Sequence, residues 1–328
     1  MNCRRLSLLV LPAVVLATGM LVATPVAAQS SANTTTAPRT PWGDPDLQGT
    51  WTASGATPME RPDEFQGRET LSDQEVAEFV DERNVGRDRP PTPGDTGTYN
   101  AFWTDTGERT NRTSMVVDPP DGRFPPLTPA GQDASSFRLK EGKAASWEDR
   151  HIWERCVTRG GMPNAMFPRF YNNNALIVQS PGYVTILLEE IHEARIIPLD
   201  TRPLLSENIR QWNGDPRGRW EGDSLVVETR NLDHRVSALQ PWSDFDSRSG
   251  SGARLTLVER FTRVDADTID YEVRVHDPQM YTRPWTVAYP FERTDELLYE
   301  YECHERNRGM FGILTGGRAD DAAMSGRK

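Results

Sequence analysis

Cysteine, positive charge and long hydrophobic runs are scarce in this chain, and each scarcity excludes a class of protein. Its 328 residues include 3 cysteines and no C-x-x-C pair, which excludes a disulfide-rich scaffold and a local zinc site. The formal net charge of -11 argues against a nucleic-acid binder, whose affinity depends on neutralising phosphates. A mean hydropathy of -0.64, with one hydrophobic run near the N-terminus, excludes a multi-span membrane protein.

The short motifs of several large enzyme classes are also absent. The sequence has no G-x-S-x-G elbow, no Walker A motif and no H-E-x-x-H pair. An α/β-hydrolase and a P-loop enzyme are therefore disfavoured, and a metal site would need ligands from distant strands. Neither a cofactor nor a metal ion is predicted.

The N-terminal segment has the pattern of a secretory signal. Arg4 and Arg5 precede the hydrophobic run 6–22, and small residues at 26–28 form a cleavage site. We expect cleavage after Ala28, export to the periplasm or the cell exterior, and no transmembrane segment in the remaining chain. A retained membrane anchor is the alternative. Residues 29–40 are rich in Ser, Thr and Ala and predict a flexible leader.

Cysteine usage agrees with export. After cleavage two cysteines remain, Cys156 and Cys303, and an even count in an oxidising compartment predicts one disulfide between them. Two separate buried thiols are the alternative.

The N-terminal part of the remaining chain, 41–160, reads as a helical and proline-rich segment. A capping box at Ser72 and Glu75 opens one helix, and Ser146 opens a second. Residues 87–145 contain too many prolines for long helices or central strands, yet their aromatic residues predict packing against something larger.

The second half, 161–318, alternates short strands with turn residues and lacks long helical patterns. A meander of antiparallel hairpins follows, and about eight strands favour closure into a lipocalin-like β-barrel because closure removes exposed edges. We therefore expect a mainly β fold, with the N-terminal helices and the proline-rich segment wrapped around the barrel. Residues 319–328 are predicted to be a disordered tail.

Aromatic residues share one face of the last predicted strands, which include 285–292 and 297–304. If they line the barrel, they form a pocket for an apolar, aromatic or sugar-like small molecule; a filled core is the alternative. Arg219, in a polar stretch before the Gly222-Asp223 turn, is added as a polar contact. The predicted ligand-binding residues are Tyr271, Trp285, Tyr289, Tyr299, Tyr301 and Arg219.

Several strings resemble those of an abundant family of secreted bacterial proteins that has no established biochemical role. The resemblance spans nearly the whole exported chain and implies export and a single integrated unit, without catalytic residues. The chain departs from the family pattern after Glu305. The strings are DPDLQGTW (44–51), DPPDGR (118–123), RCVTRG (155–160), YNNN (171–174), GRWEGDSLVVET (218–229), ERFTRV (259–264) and YECHE (301–305).

Two of the five histidines are candidates for catalysis. His192 and His304 each end a predicted strand and have neighbouring carboxylates, Glu189 and Glu305 among them. Strand ends gather at a barrel mouth, where an imidazole and a carboxylate can act as base and acid. A secreted hydrolase, lyase or isomerase is thus a second hypothesis beside the ligand binder, with surface hydrogen bonding as the alternative role of each histidine. A structural or partner-binding envelope protein is the third hypothesis.

Overall fold

The structure is a computed structural model, and the predicted signal peptide, His304 and Glu305 lie outside the residues that it describes. Among the described helices, none is long and apolar enough to cross a membrane. The described residues are 38–53, 55, 57–90, 99–104, 110–136, 146–150, 152–169, 171–236, 252–301, 303 and 307–326.

The described residues form ten strands and three α-helices. The helices are α1 (Asp73–Arg87), α2 (Pro129–Ser136) and α3 (Arg308–Ser325). The strands are β1 (Gly49–Thr52), β2 (Val116–Asp118), β3 (Asn174–Ser180), β4 (Tyr183–Leu188), β5 (Ala194–Pro198), β6 (Asp215–Glu221), β7 (Ser224–Arg230), β8 (Thr256–Arg263), β9 (Thr268–His276) and β10 (Trp285–Arg293).

Nine strands make one antiparallel sheet in the order β5-β4-β3-β1-β10-β9-β8-β7-β6, and β2 adds to β10. The sheet curls into a nearly closed barrel, so the predicted fold class is confirmed. Tight turns set the hairpins: Gly182 at φ 82° joins β3 to β4, and Gly222 at φ 62° joins β6 to β7. β1, from the N-terminal part of the chain, lies between β3 and β10 and joins the two halves of the barrel.

The barrel closes where β5 meets β6. Because neighbouring strands run in opposite directions, the first and the ninth strand of the sheet, β5 and β6, run parallel to each other. No backbone ladder pairs them over residues 194–221, all of which are described. Side chains close the gap instead. A Cβ at Gly218 would lie 2.8 Å from Ile197 Cγ2 and 2.6 Å from Leu199 Cδ2, so any larger residue here would require these side chains to shift.

Aromatic rings fill the barrel interior. The Tyr271 ring lies 4.8 Å from Phe261 and 5.1 Å from Tyr289, and the Trp285 ring lies 5.0 Å from Phe124. These centroid distances are those of ring pairs that stabilise a core beyond their buried area. The alternation along β9 is confirmed, because Ile269, Tyr271, Val273 and Val275 are buried and their neighbours are more exposed.

The second part of the proline-rich segment packs on the barrel. β2 pairs with the start of β10, and the Phe124 ring contacts Tyr281 and Trp285. The aromatic residues nearer its start are more exposed: Phe102 and Trp103 are 82% and 64% exposed, and Tyr99 is 59% exposed although its ring lies 5.6 Å from the ring of Tyr171. Among the described residues of this segment, the closest packing on the barrel therefore lies after residue 110.

The helices differ from the predictions at two places. The helix predicted from Ser146 is wrong: a 3-10 turn, Trp147–Asp149, is followed by irregular turns, and Cys156 takes φ 57°, outside the helical range. α3 extends to Ser325, where a disordered tail is predicted. The capping box of α1 is confirmed, since Ser72 and Glu75 cap each other.

The strand predicted over 297–304 is also wrong for its described residues. Leu297 to Tyr301 are irregular, and Leu297 is 71% exposed. Both edges of β10 are already paired, by β9 on one side and by β1 and β2 on the other, so no edge is left for a following hairpin. The chain instead crosses to the far end of β4, and Cys303 forms the predicted disulfide with Cys156.

Candidate functional site

Three of the predicted ligand contacts lie inside the barrel. Tyr271, Trp285 and Tyr289 are 1%, 0% and 6% exposed. The Tyr289 hydroxyl donates to the carbonyl of Met166 at 2.7 Å, and burial raises the pKa of both tyrosines well above the ordinary value. These rings build the core, as the filled-core alternative expects, and their contact with a ligand stays a prediction.

The other three predicted contacts lie apart from these rings. Tyr299 is 68% exposed and Tyr301 is half-buried. Arg219 is exposed and pairs with Glu221 at 2.6 Å. The six residues therefore do not line one space.

The predicted catalytic pair can be followed only at His192. Its side chain is exposed, whereas Glu189 is buried and accepts the Tyr299 backbone N–H at 3.1 Å. His304 and Glu305 lie outside the described residues, so their role stays a prediction.

Charged side chains are buried together at the barrel end where β4 ends and β5 begins. We call Arg159, Arg169, Glu189, Glu190 and Glu193 the mouth cluster. Arg159 Nε lies 2.5 Å from Glu190 Oε2, and both side chains are at most 4% exposed. Burial raises the pKa of Glu190 and of Glu193 against the opposing effect of Arg159. This desolvated set of charges is of the kind that marks functional sites.

The backbone beside this cluster is strained. Ile191 has φ 61° and His192 has φ 52°, in a left-handed region that β-branched residues rarely adopt. Each such residue costs on the order of 1–3 kcal/mol and concentrates at binding sites and active sites. The strained turn places Glu189, Glu190 and Glu193 in the interior while His192 points outward.

Replacing Glu193 with glutamine should make stability less dependent on pH. The raised pKa means that the folded state keeps a proton that the unfolded state releases, so this contribution is complete below about pH 4.5 and is lost as the pH rises through the folded-state pKa. The free energy of unfolding of the wild type minus that of E193Q should therefore fall from acid to neutral pH in urea titrations. A constant difference contradicts this, and the exposed Glu300→Gln is the matched control.

A cavity of about 310 Å³ opens between α1 and the same end of the barrel, and we call it the arginine-lined cavity. Its walls are mostly apolar, and the charged side chains among its described lining residues are all arginines. The lining residues are Gly55, Thr57, Pro58, Met59, Phe79, Arg83, Arg87, Met115, Pro168 and Arg169.

Two of these arginines lie on the inner face of α1. Val76, Phe79, Val80, Arg83 and Arg87 follow the helical period and are half-buried. The stripe that faces the barrel is thus apolar in the first half of the helix and cationic in the second. A helix that only covers a core would continue the apolar stripe.

Arg83 makes no hydrogen bond or ion pair with any residue that the structure describes. Burial and the neighbouring Arg87 lower the pKa of Arg83, which means that its charge is not compensated. Arg169, on the opposite wall, has its pKa lowered by burial and by Arg159, against the opposing effect of Glu190. Arg169 belongs both to the cavity wall and to the mouth cluster, so it connects the two.

Two other cavities have arginines that already form ion pairs. A space of about 710 Å³ lies at the seam between β5 and β6, where Arg202 pairs with Asp200 and Arg217 with Asp215. A cleft of about 440 Å³ lies along β8, β9 and β10; Tyr271 and Tyr289 are among its lining residues, and its Arg260 pairs with Glu221. An arginine without a hydrogen bond or ion pair to any described residue distinguishes the arginine-lined cavity from both.

No family model matches the chain, and neither a curated protein nor a solved structure does. Membership in the secreted family that the sequence resembles therefore stays a prediction. The cavity was missed in the sequence, although a signal was present: arginines at 83 and 87 continue the apolar positions 76, 79 and 80 at helical spacing.

Proposed function

We propose that this is an exported β-barrel protein that binds a small molecule in the arginine-lined cavity. One observation carries the proposal: Arg83 is half-buried, lacks a partner among the described residues and faces a cavity with apolar walls. A half-buried guanidinium that no protein group neutralises can form a charge-assisted hydrogen bond with an anionic or polar group of a ligand.

The barrel core provides one fixed wall of such a site. Thr57, Met59 and Met115 are buried where they form the cavity floor, so one wall is fixed by the core. α1 forms the other wall and buries no residue of its own. Sites of this kind combine apolar walls with a few polar groups that orient the ligand.

Export is supported by two independent features. The N-terminal segment has the pattern of a cleaved signal, and Cys156 forms a disulfide with Cys303, as exported proteins commonly do. The hydrolase, lyase or isomerase hypothesis depends on His304 and Glu305 and stays a prediction, as does the structural envelope hypothesis.

The protein isolated from its own periplasm should carry a small molecule in a native mass spectrum, on a chain that begins at Gln29. Arg83→Trp should abolish the retained mass, because the indole fills the cavity from the surface of α1. Glu82→Trp, one residue away on the exposed face, should retain it. Circular dichroism would confirm that both variants fold. An R83W protein that keeps the same ligand refutes the proposed site.

A further inference from the structure

The arginine-lined cavity combines two chemical kinds of lining residue, and these indicate the class of its ligand. Its lining combines three arginines, Arg83, Arg87 and Arg169, with apolar side chains that include Met59 and Met115. Arginine presents a planar fork that matches a carboxylate, and methionine adapts to apolar groups of irregular shape. A molecule that satisfies both kinds of lining residue is an amphiphile with an anionic head.

The number of available cations limits the charge of that head. Arg83 lacks an ion-pair partner among the described residues, whereas Arg169 lies beside the Arg159–Glu190 pair. A single uncompensated cation neutralises a ligand head with one negative charge better than a head with two negative charges. The head is then a carboxylate rather than a phosphate dianion.

The size of the cavity limits the tail. About 310 Å³ is at the lower end of the 300–1,000 Å³ range of small-molecule sites, so the ligand is small. Phe79, Pro58 and Pro168 form the apolar walls around it. An unbranched or singly branched apolar tail fills this space without placing polar atoms against it.

We propose that the cavity selects small monocarboxylates with an apolar tail, whose carboxylate binds Arg83 and whose tail packs on Met59 and Met115. This inference rests on the proposed function and adds the ligand class to it. Arg83 is then the residue that determines selectivity for the anion. The apolar walls contribute affinity that does not depend on charge.

Isothermal titration with octanoate, octanol and octylamine tests the ligand class, because the three probes share a tail and differ in the head. Octanoate should bind at least about tenfold more tightly than octanol, and octylamine should bind most weakly. Arg83→Gln should weaken octanoate about tenfold and leave octanol within about twofold. Arg83→Lys should recover part of the loss. Arg89→Gln, an exposed arginine just beyond α1, should change neither affinity.

Each failure has a separate meaning. Equal binding of octanoate and octanol, or an unchanged octanoate affinity in R83Q, overturns the selection of carboxylates and leaves binding in the cavity intact. Failure of all three probes to bind the wild type also overturns the ligand class. The retained mass in the native spectrum, and its loss in R83W, then decide on the proposed function independently.

Discussion

Replacing Arg195 with methionine should lower the free energy of unfolding by about 3–5 kcal/mol. Arg195 on β5 reaches across the barrel interior to Glu259 on β8, with nitrogen–oxygen distances of 3.0 and 2.7 Å. Both side chains are at most 1% exposed. The methionine variant leaves the Glu259 carboxylate buried without its counter-charge.

The position of the pair adds to this effect. β5 and β6 lack a backbone ladder, and the Arg195–Glu259 bridge ties the β5 edge to the opposite side of the barrel. The Tyr271 hydroxyl also donates to Glu259 at 2.8 Å, so the carboxylate is held from two sides. Loss of Arg195 therefore affects closure of the barrel as well as charge balance.

Urea unfolding followed by tryptophan fluorescence measures the effect. The double variant Arg195→Met and Glu259→Met should lose much less stability than the sum of the single variants, because it removes both charges. Arg219→Met, an exposed arginine on β6, is the control and should change stability by less than about 0.5 kcal/mol. A free energy of unfolding of R195M within about 1 kcal/mol of that of the wild type would contradict this prediction. It would show that the pair is hydrated and contributes little to closure of the barrel.

Removing the disulfide should cost about 2–5 kcal/mol. The bond joins Cys156 to Cys303 across 147 residues, a separation for which the chain-entropy model gives about 5 kcal/mol as an upper value. The described non-covalent ties of this part of the chain are few. Tyr299 N–H donates to Glu189 at 3.1 Å, and Asn307 Nδ2 donates to the Glu154 carbonyl at 2.8 Å.

Denaturant unfolding of the double variant Cys156→Ser and Cys303→Ser, with and without dithiothreitol, tests this. The reductant should destabilise the wild type and leave the variant unchanged. The far-ultraviolet circular dichroism of the variant should keep the β signal, because the barrel strands do not include either cysteine. Equal midpoints for oxidised and reduced wild type contradict the account.

The hairpins could be predicted from sequence because each depends on local signals. β9 alternates buried and exposed residues, and Gly222 supplies the positive φ of the turn that joins β6 to β7. The segment 297–304 has the same alternation and is irregular in its described residues. Whether this segment forms a strand depends on whether β10 has a free edge, and that is a property of the whole sheet.

The candidate site was only partly predictable for a similar reason. Glu189 is identified beside His192 from the sequence, but Arg159 and Arg169 approach the neighbouring Glu190 from a separate segment, through contacts that the sequence does not encode locally. The unpaired Arg83 is visible only when α1 is placed against the barrel. Its helical spacing from Val76 and Phe79 was the signal available beforehand.

A crystal structure of the protein with its retained molecule, or with octanoate, tests the central claim most directly. We expect the ligand between Phe79 and Met115, with its anionic head within hydrogen-bond distance of Arg83. A ligand among the interior rings of Tyr271 and Trp285, with the arginine-lined cavity empty, would contradict the account.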